Sequence, residues 1–340
     1  MRPGRRSAAL IATLAVAGAI IAAVFWQPIA RWLHAAPAPE KLTIAVINTY
    51  IGSGLVLVAA NQGYFAAEGL EVILQPHGAG RAALNAVIEK RADMTTLGNL
   101  PVILATLDKV PLSIVASIAR AYRGAGIVAR RDRGIARAAD LRGKTIGVSF
   151  GTDGHFALGV ILADHGIAPE EVKMENVQPE AIVAALSAGK VDAIATWEPL
   201  LGMAKKVRGV PHVTFDLGSG FSFWFHLAGR RDYVQQHPVT MQKLLRALLR
   251  AERYIERNPA DAAAIIVADT RMDRAAFDAI RPNFELRLAQ MQGVLTMLED
   301  QARWVIANRY TQATELPNFL DTVYLDALLA VRPESVSIIR

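Results

Sequence analysis

Cysteine is absent from all 340 residues. That excludes disulfides, thiolate metal ligation, a cysteine nucleophile and a lipidated N-terminal cysteine. Missing too are a G-x-x-x-x-G-K-[ST] phosphate loop, an H-E-x-x-H metal pair and a complete G-x-G-x-x-G turn. His77, His155 and His165 have no metal-ligand spacing, so neither a metal nor a cofactor is expected. Excess charge is confined to one end. The formal net charge is +6, but Arg2, Arg5, Arg6 and Arg31 all precede the first acidic residue, Glu40, and without them the chain carries +2. No basic stripe with interleaved aromatics remains, which argues against nucleic acid as a partner.

Apolar residues are plentiful. They make up 52% of the chain against 20% charged, enough for a large core and too many for a disordered chain. Ser7–Trp26 runs without a charge behind the basic Arg2, Arg5 and Arg6. A helix of that length spans a hydrocarbon core of roughly 30 Å. The length and the bulky Phe25-Trp26 end favour an uncleaved membrane anchor. A cleaved secretory signal, with Ala36-Pro37-Ala38 as its small-x-small site, is the alternative. Either way residues 1–34 direct the rest of the chain out of the cytoplasm, and residues 35–40 (AAPAPE) form a linker.

Beyond the linker, short apolar runs alternate with helical periodicity. Strands are expected over Leu42–Asn48, Leu70–Gln75, Asp93–Leu97, Leu112–Ser117 and Gly126–Arg130. The pattern then restarts with Thr145–Ser149, Val172–Val177, Val191–Thr196, Val213–Asp216 and Ser222–Leu227, and four amphipathic helices come after Asp232. Such alternation implies parallel βαβ units. The fold class is α/β with two lobes: residues 41–130 and 220–340 form the first, with the C-terminal helices, and residues 131–219 the second. In open α/β sheets ligands lie beyond the carboxyl ends of the strands. Five loops occupy such places: Tyr50–Gly54, His77–Arg81, Gly98–Pro101, Phe150–His155 and Trp197–Pro199. Their glycines let a ligand approach the backbone, and helix first turns offer unpaired N–H groups to anions. Asp153 and His155 stand two residues apart as an acid and a base.

Four stretches carry a family resemblance: NQGYFAAEGLEVIL (Asn61–Leu74), DLRGKTIGVSFGTDGH (Asp140–His155), ALSAGKVDAIATWEP (Ala185–Pro199) and LDTVYLDALL (Leu320–Leu329). Together they resemble the solute-binding proteins of nitrate/taurine/sulfonate-type ABC importers, over about Lys41–Leu329. The resemblance implies a type II periplasmic binding fold and a non-enzymatic extracytoplasmic protein that closes on a small ligand and delivers it to a permease in the inner membrane. It also implies that Trp197-Glu198-Pro199 and Gly151–His155 face the cleft. The candidate ligand-binding residues are Tyr50, Ser53, Gly54, Gly80, Gly98 and Asn99 on one lobe, and Thr152, Asp153, His155, Trp197 and Glu198 on the other. Two carboxylates, Asp153 and Glu198, suit a bare anion poorly, since like charges repel at a desolvated site. They point to an organic solute with an amine or another donor, such as an aminosulfonate. A thiamine-type pyrimidine or other heteroaromatic, stacked on Tyr50, Phe156 and Trp197, is the alternative. Two other classes stay open: an enzyme similar to pyrimidine-precursor synthases, whose cysteine-rich motif is missing, and a membrane-tethered sensor domain.

Overall fold

The structure is a computed structural model and describes residues 38–122, 124–217 and 221–339. The expected anchor, residues 1–34, lies outside the described residues. Among the described residues no helix is long and apolar enough to cross a membrane. All the described elements belong to the unit Glu40–Arg340.

The apolar runs fold as strands close to their expected limits. The chain begins β1 (Glu40–Ile47), α1 (Gly54–Asn61), α2 (Tyr64–Ala67), β2 (Leu70–His77), α3 (Gly80–Ile88), β3 (Met94–Gly98), α4 (Asn99–Leu107) and β4 (Leu112–Ala121). It continues β5 (Ala125–Arg130), β6 (Thr145–Val148), α5 (Asp153–Asp164), β7 (Lys173–Asn176), α6 (Pro179–Ser187), β8 (Ala193–Trp197), α7 (Leu200–Lys205) and β9 (His212–Asp216). The return is β10 (Phe223–Arg230), then α8 (Arg231–Gln236), α9 (Pro238–Arg257), α10 (Pro259–Thr270), α11 (Arg274–Ile280), β11 (Phe284–Glu285), α12 (Gln292–Ala307) and α13 (Asp326–Val331).

Two sheets result, ordered β11-β4-β10-β3-β1-β2 and β7-β6-β8-β5-β9. The βαβ portions are parallel: β1 with β2 and β3, and β6 with β7 and β8. The strands that carry the chain between sheets are antiparallel: β4 with β10, and β5 with β8 and β9. The sheets are therefore mixed. The same pairing corrects the expected lobe limits. β5, expected in the first lobe, is a central strand of the second sheet, with Ala125 opposite Trp197. A fully apolar run such as Ile127-Val128 is buried on both faces wherever it lies, so its composition does not say which sheet takes it.

The first βαβ unit is repeated in the second down to one brace. The N–H of Thr43 donates to Asp93 Oδ2 (2.8 Å) and the N–H of Asp93 to the Thr43 carbonyl (2.9 Å). In the second sheet Thr145 and Asp192 make the same two bonds, at 2.9 and 2.8 Å. The register is alike in both: Ile44 pairs with Met94, and Ile146 with Ala193. Below the first sheet, α9 buries Met241, Leu244, Leu245, Leu248 and Ala251 on one stripe, each leucine contributing about 1.5–3 kcal/mol. Glu252, buried on that stripe, accepts from the Leu288 N–H (2.7 Å) and pairs with Arg332.

Candidate functional site: the cleft between the two sheets

The carboxyl ends of β1, β2 and β3 face those of β6, β7 and β8 across a cavity of about 360 Å³. This is where an open α/β sheet places its ligand. Four helices begin at the cavity. Their N-cap residues, Ala79 before α3, Gly98 before α4, Thr152 before α5 and Gln178 before α6, make no side-chain cap hydrogen bond. The Thr152 hydroxyl donates instead to the Ser149 carbonyl (2.7 Å). Helix starts left uncapped in this way present N–H donors and the positive end of the peptide dipoles. Arg81, in the first turn of α3, adds a guanidinium at the cavity wall, Nη1 lying 4.0 Å from where a Cβ on Gly151 would stand. It has no ion pair among the described residues. Tyr50, Phe150, Trp197, Phe223 and Phe225 supply apolar wall.

One carboxyl faces this electropositive space. Asp153 opens α5 on the second lobe and reaches the start of α4 on the first, beside Gly98 and Leu100. Its Oδ2 lies 2.8 Å from where a Cβ on Gly98 would stand, so only glycine leaves room for it. Its Oδ1 is buried with no partner among the described residues. Burial pushes its pKa up to about 7, against the Leu100 backbone N–H, which pulls it down. The Tyr50 phenol is raised well above its ordinary value by burial, then by Asp153 and by Glu198.

Of the expected residues, Tyr50, Gly80, Gly98, Thr152, Asp153 and Trp197 line the cavity. Five do not. Ser53 is fully buried, its hydroxyl donating to the Ile47 carbonyl (2.7 Å) and meeting Thr96 Oγ1 at 3.0 Å. Gly54 is packed under the C-terminal helices, where a Cβ would lie 2.9 Å from Ile266 and Leu286. Asn99 turns into the first lobe, its Oδ1 2.8 Å from His226 Nε2, while His226 Nδ1 meets Ser117 Oγ at 3.1 Å. Burial holds His226 at about 3, so the ring is neutral, Nε2–H donating to the amide. His155 falls in the first turn of α5 and does not line the cavity. It is buried between Phe150, Trp304 and Tyr310, at 5.0, 5.3 and 4.4 Å, and burial lowers it to about 4. Phe156 packs on Phe221, Phe223 and Trp304 instead of offering a stacking face.

Glu198 is the fifth. Its Oε2 accepts from the Gly202 N–H (2.8 Å), and it lines a second cavity of about 400 Å³ with Lys205 and Asp216. Burial raises its pKa. Of the two carboxylates that favoured a donor-bearing ligand, only Asp153 is left at the cleft.

The strand-end rule reaches further residues: Thr49 after β1, Arg81 after β2, Ser149 and Phe150 after β6, and Asn176 and Gln178 after β7. Ser149 is also the serine of a G-x-S-x-G spacing, Gly147–Gly151. Its hydroxyl donates to the Val177 carbonyl (2.7 Å), and His155 Nδ1 accepts weakly from the Gly151 N–H (3.4 Å). No serine–histidine hydrogen bond forms, so this is not a nucleophile elbow.

A family model described as NMT1/THI5 like matches residues 52–262, a span that takes in the cavity loops of both lobes apart from the end of β1. The chain belongs to the NMT1/THI5-like family. Among its relatives is the taurine-binding periplasmic protein of Escherichia coli, 26% identical over 207 residues, 59% of this chain and 63% of that one. The alkanesulfonate-binding protein SsuA of Xanthomonas axonopodis, solved with MOPS bound, superposes with a TM-score of 0.72 at 19% identity, over 85% of this chain and 99% of that one. The desulfurization enzyme DSZB superposes at 0.68 with 17% identity, over 87% and 99%. The NMT1/THI5-like chain thus has the two-lobed fold of periplasmic binding proteins, a fold that also houses an enzyme.

Proposed function

We propose that this chain is the extracytoplasmic solute-binding component of an ABC importer, and that it captures a small organic anion of the sulfonate kind by closing its two lobes. One observation carries the reading. One cavity is lined by four helix starts without a side-chain cap, by Arg81 and by five aromatic rings. Helix N-termini and a guanidinium hold an anionic head, and the rings take up an apolar body. Relatives named for taurine and alkanesulfonates support the same chemistry. The aromatic walls also favour a second ligand, a pyrimidine-type heteroaromatic with its ring between Tyr50 and Trp197. Turnover is not part of the reading, and incubation with candidate ligands followed by mass analysis should return them unchanged. The charge-free run Ser7–Trp26 tethers the domain outside the inner membrane, beside the permease it supplies; fractionation that leaves the full chain in the soluble periplasm would remove the tether.

The test is a melting-shift and calorimetric panel on the purified domain: benzenesulfonate, 1-butanesulfonate, taurine and an aminopyrimidine, in sulfonate-free buffer. A ligand at 100 times its Kd stabilises the closed form by about 2.7 kcal/mol. X-ray scattering should show compaction with the same compound. No shift and no compaction with any sulfonate would refute the sulfonate reading.

A further inference from the structure

Asp153 is oddly placed for a site that holds anions. It is the only acidic residue among the described residues that line the cavity, and it lies between the first turns of two helices from opposite lobes. Its Oδ1 is buried and has no hydrogen-bond partner among the described residues. A buried oxygen in this position either waits for a donor or carries a proton it has not yet donated. The anionic head that suits Arg81 and the helix starts cannot sit against an ionised carboxylate.

We propose that Asp153 couples capture to protonation: when an anionic head enters the cavity that Asp153 lines, its carboxyl takes one proton from solvent and donates a hydrogen bond to the ligand's oxygen. This rests on the anion-binding reading above. The acid form is within easy reach, since burial already brings the group to about 7. The groups facing it do not titrate in competition. From its own helix comes His155, lowered to about 4, and from the β1 end Tyr50, raised far above neutrality. From α3 comes Arg81, and beyond Tyr50 lies Glu198 behind the cleft. The first turn of α4 offers Leu100 and no charged side chain. The coupling makes Asp153 a selector. It admits ligands with an acceptor head most readily at and below neutral pH and penalises them as pH rises.

Linkage sets the sign. An anion that binds only the protonated form has an affinity that is flat below the unbound pKa and falls tenfold per pH unit above it. With that pKa near 7, Kd should rise roughly thirtyfold between pH 6 and pH 8.5. At pH 7.5 binding should draw in about three-quarters of a proton. Calorimetry with benzenesulfonate, which has no group titrating in this range, measures both; Tris and triethanolamine, buffers of different ionisation enthalpy, give the proton count. Asp153→Asn keeps the size and shape of the side chain and supplies a permanent donor, so it should bind with no proton uptake and a flat pH profile. Tight binding by the wild type without proton uptake, or an unchanged slope in Asp153→Asn, would overturn the proposal and leave the binding reading standing. No heat with benzenesulfonate in either buffer would overturn both. Should Asp153→Asn fail to fold, the two-buffer proton count on the wild type decides alone.

Discussion

Replacing Gly159 with alanine should destabilise this protein, against the usual sign of the substitution. Gly159 lies in the middle of α5, where alanine ordinarily gains about 1 kcal/mol of helix stability. Here a Cβ would stand 2.3 Å from Nε1 of Trp304 and 2.6 Å from two more atoms of its ring. The indole is half-buried and held by neighbouring rings: it packs against His155 and Phe156 at 5.3 and 5.4 Å and tilts on Tyr310 at 5.1 Å. Relief requires moving α5, which flanks the second sheet, away from α12, which packs on α4 of the first. Overpacking costs typically 1–3 kcal/mol. Set against the helix gain, the net loss is about 1 kcal/mol, or about 1–2 °C in Tm for a domain of this size. Urea unfolding should show a lower midpoint at unchanged slope. The same substitution on a Trp304→Ala background should stabilise, giving a coupling of about 1–3 kcal/mol in the double-mutant cycle. A Gly159→Ala protein as stable as its parent, with Trp304 intact, would refute the reasoning.

Ser53→Ala should cost about 1–3 kcal/mol by urea unfolding, because the Ile47 carbonyl and the Thr96 hydroxyl lose a buried partner; lost affinity at unchanged stability would return Ser53 to the ligand set. Arg81→Ala should weaken benzenesulfonate binding at least tenfold, about 1.4 kcal/mol, and flatten its salt dependence, while the melting temperature of the unliganded protein stays put, since the guanidinium has no ion pair to lose among the described residues. Glu198→Gln should leave sulfonate affinity within about twofold, because the side chain caps Gly202 and faces the rear cavity; a tenfold loss measured by calorimetry would put it back in the cleft.

Most of the scaffold is legible in the sequence because buried strands and amphipathic helices write themselves as apolar periodicity. The strand-end rule locates the loops that the cavity uses except the crossover at Gly124-Ala125 and the loop after β7, whose strand is short and half-exposed, Lys173–Asn176. What periodicity does not encode is which way a polar residue in a helix's first turn will point. Ser53, Asn99 and His155 share the composition of Thr152 and Asp153, yet each is claimed by a distant partner: Thr96, His226 and Tyr310. Such contacts span 43 to 155 positions, and no local pattern records them. Glu198 departs from expectation for a local reason, its reach to Gly202 four residues on.

The Thr–Asp brace also explains why the two units, alike in plan, build an asymmetric cleft. Aligning Asp93 with Asp192 puts Thr43-Ile44-Ala45-Val46 on Thr145-Ile146-Gly147-Val148, and Gly98 on Trp197. At the same structural place, then, one lobe has no side chain and the other has the largest. The empty place lets the Asp153 carboxyl cross to the start of α4, where a Cβ at residue 98 would meet it at 2.8 Å. The filled place presents an indole to the same cavity. The duplicated scaffold thus differs at this place, while each lobe brings both polar groups and rings to the cavity. On the proposed reading an acceptor-rich head joined to a flat or apolar body meets both kinds of wall.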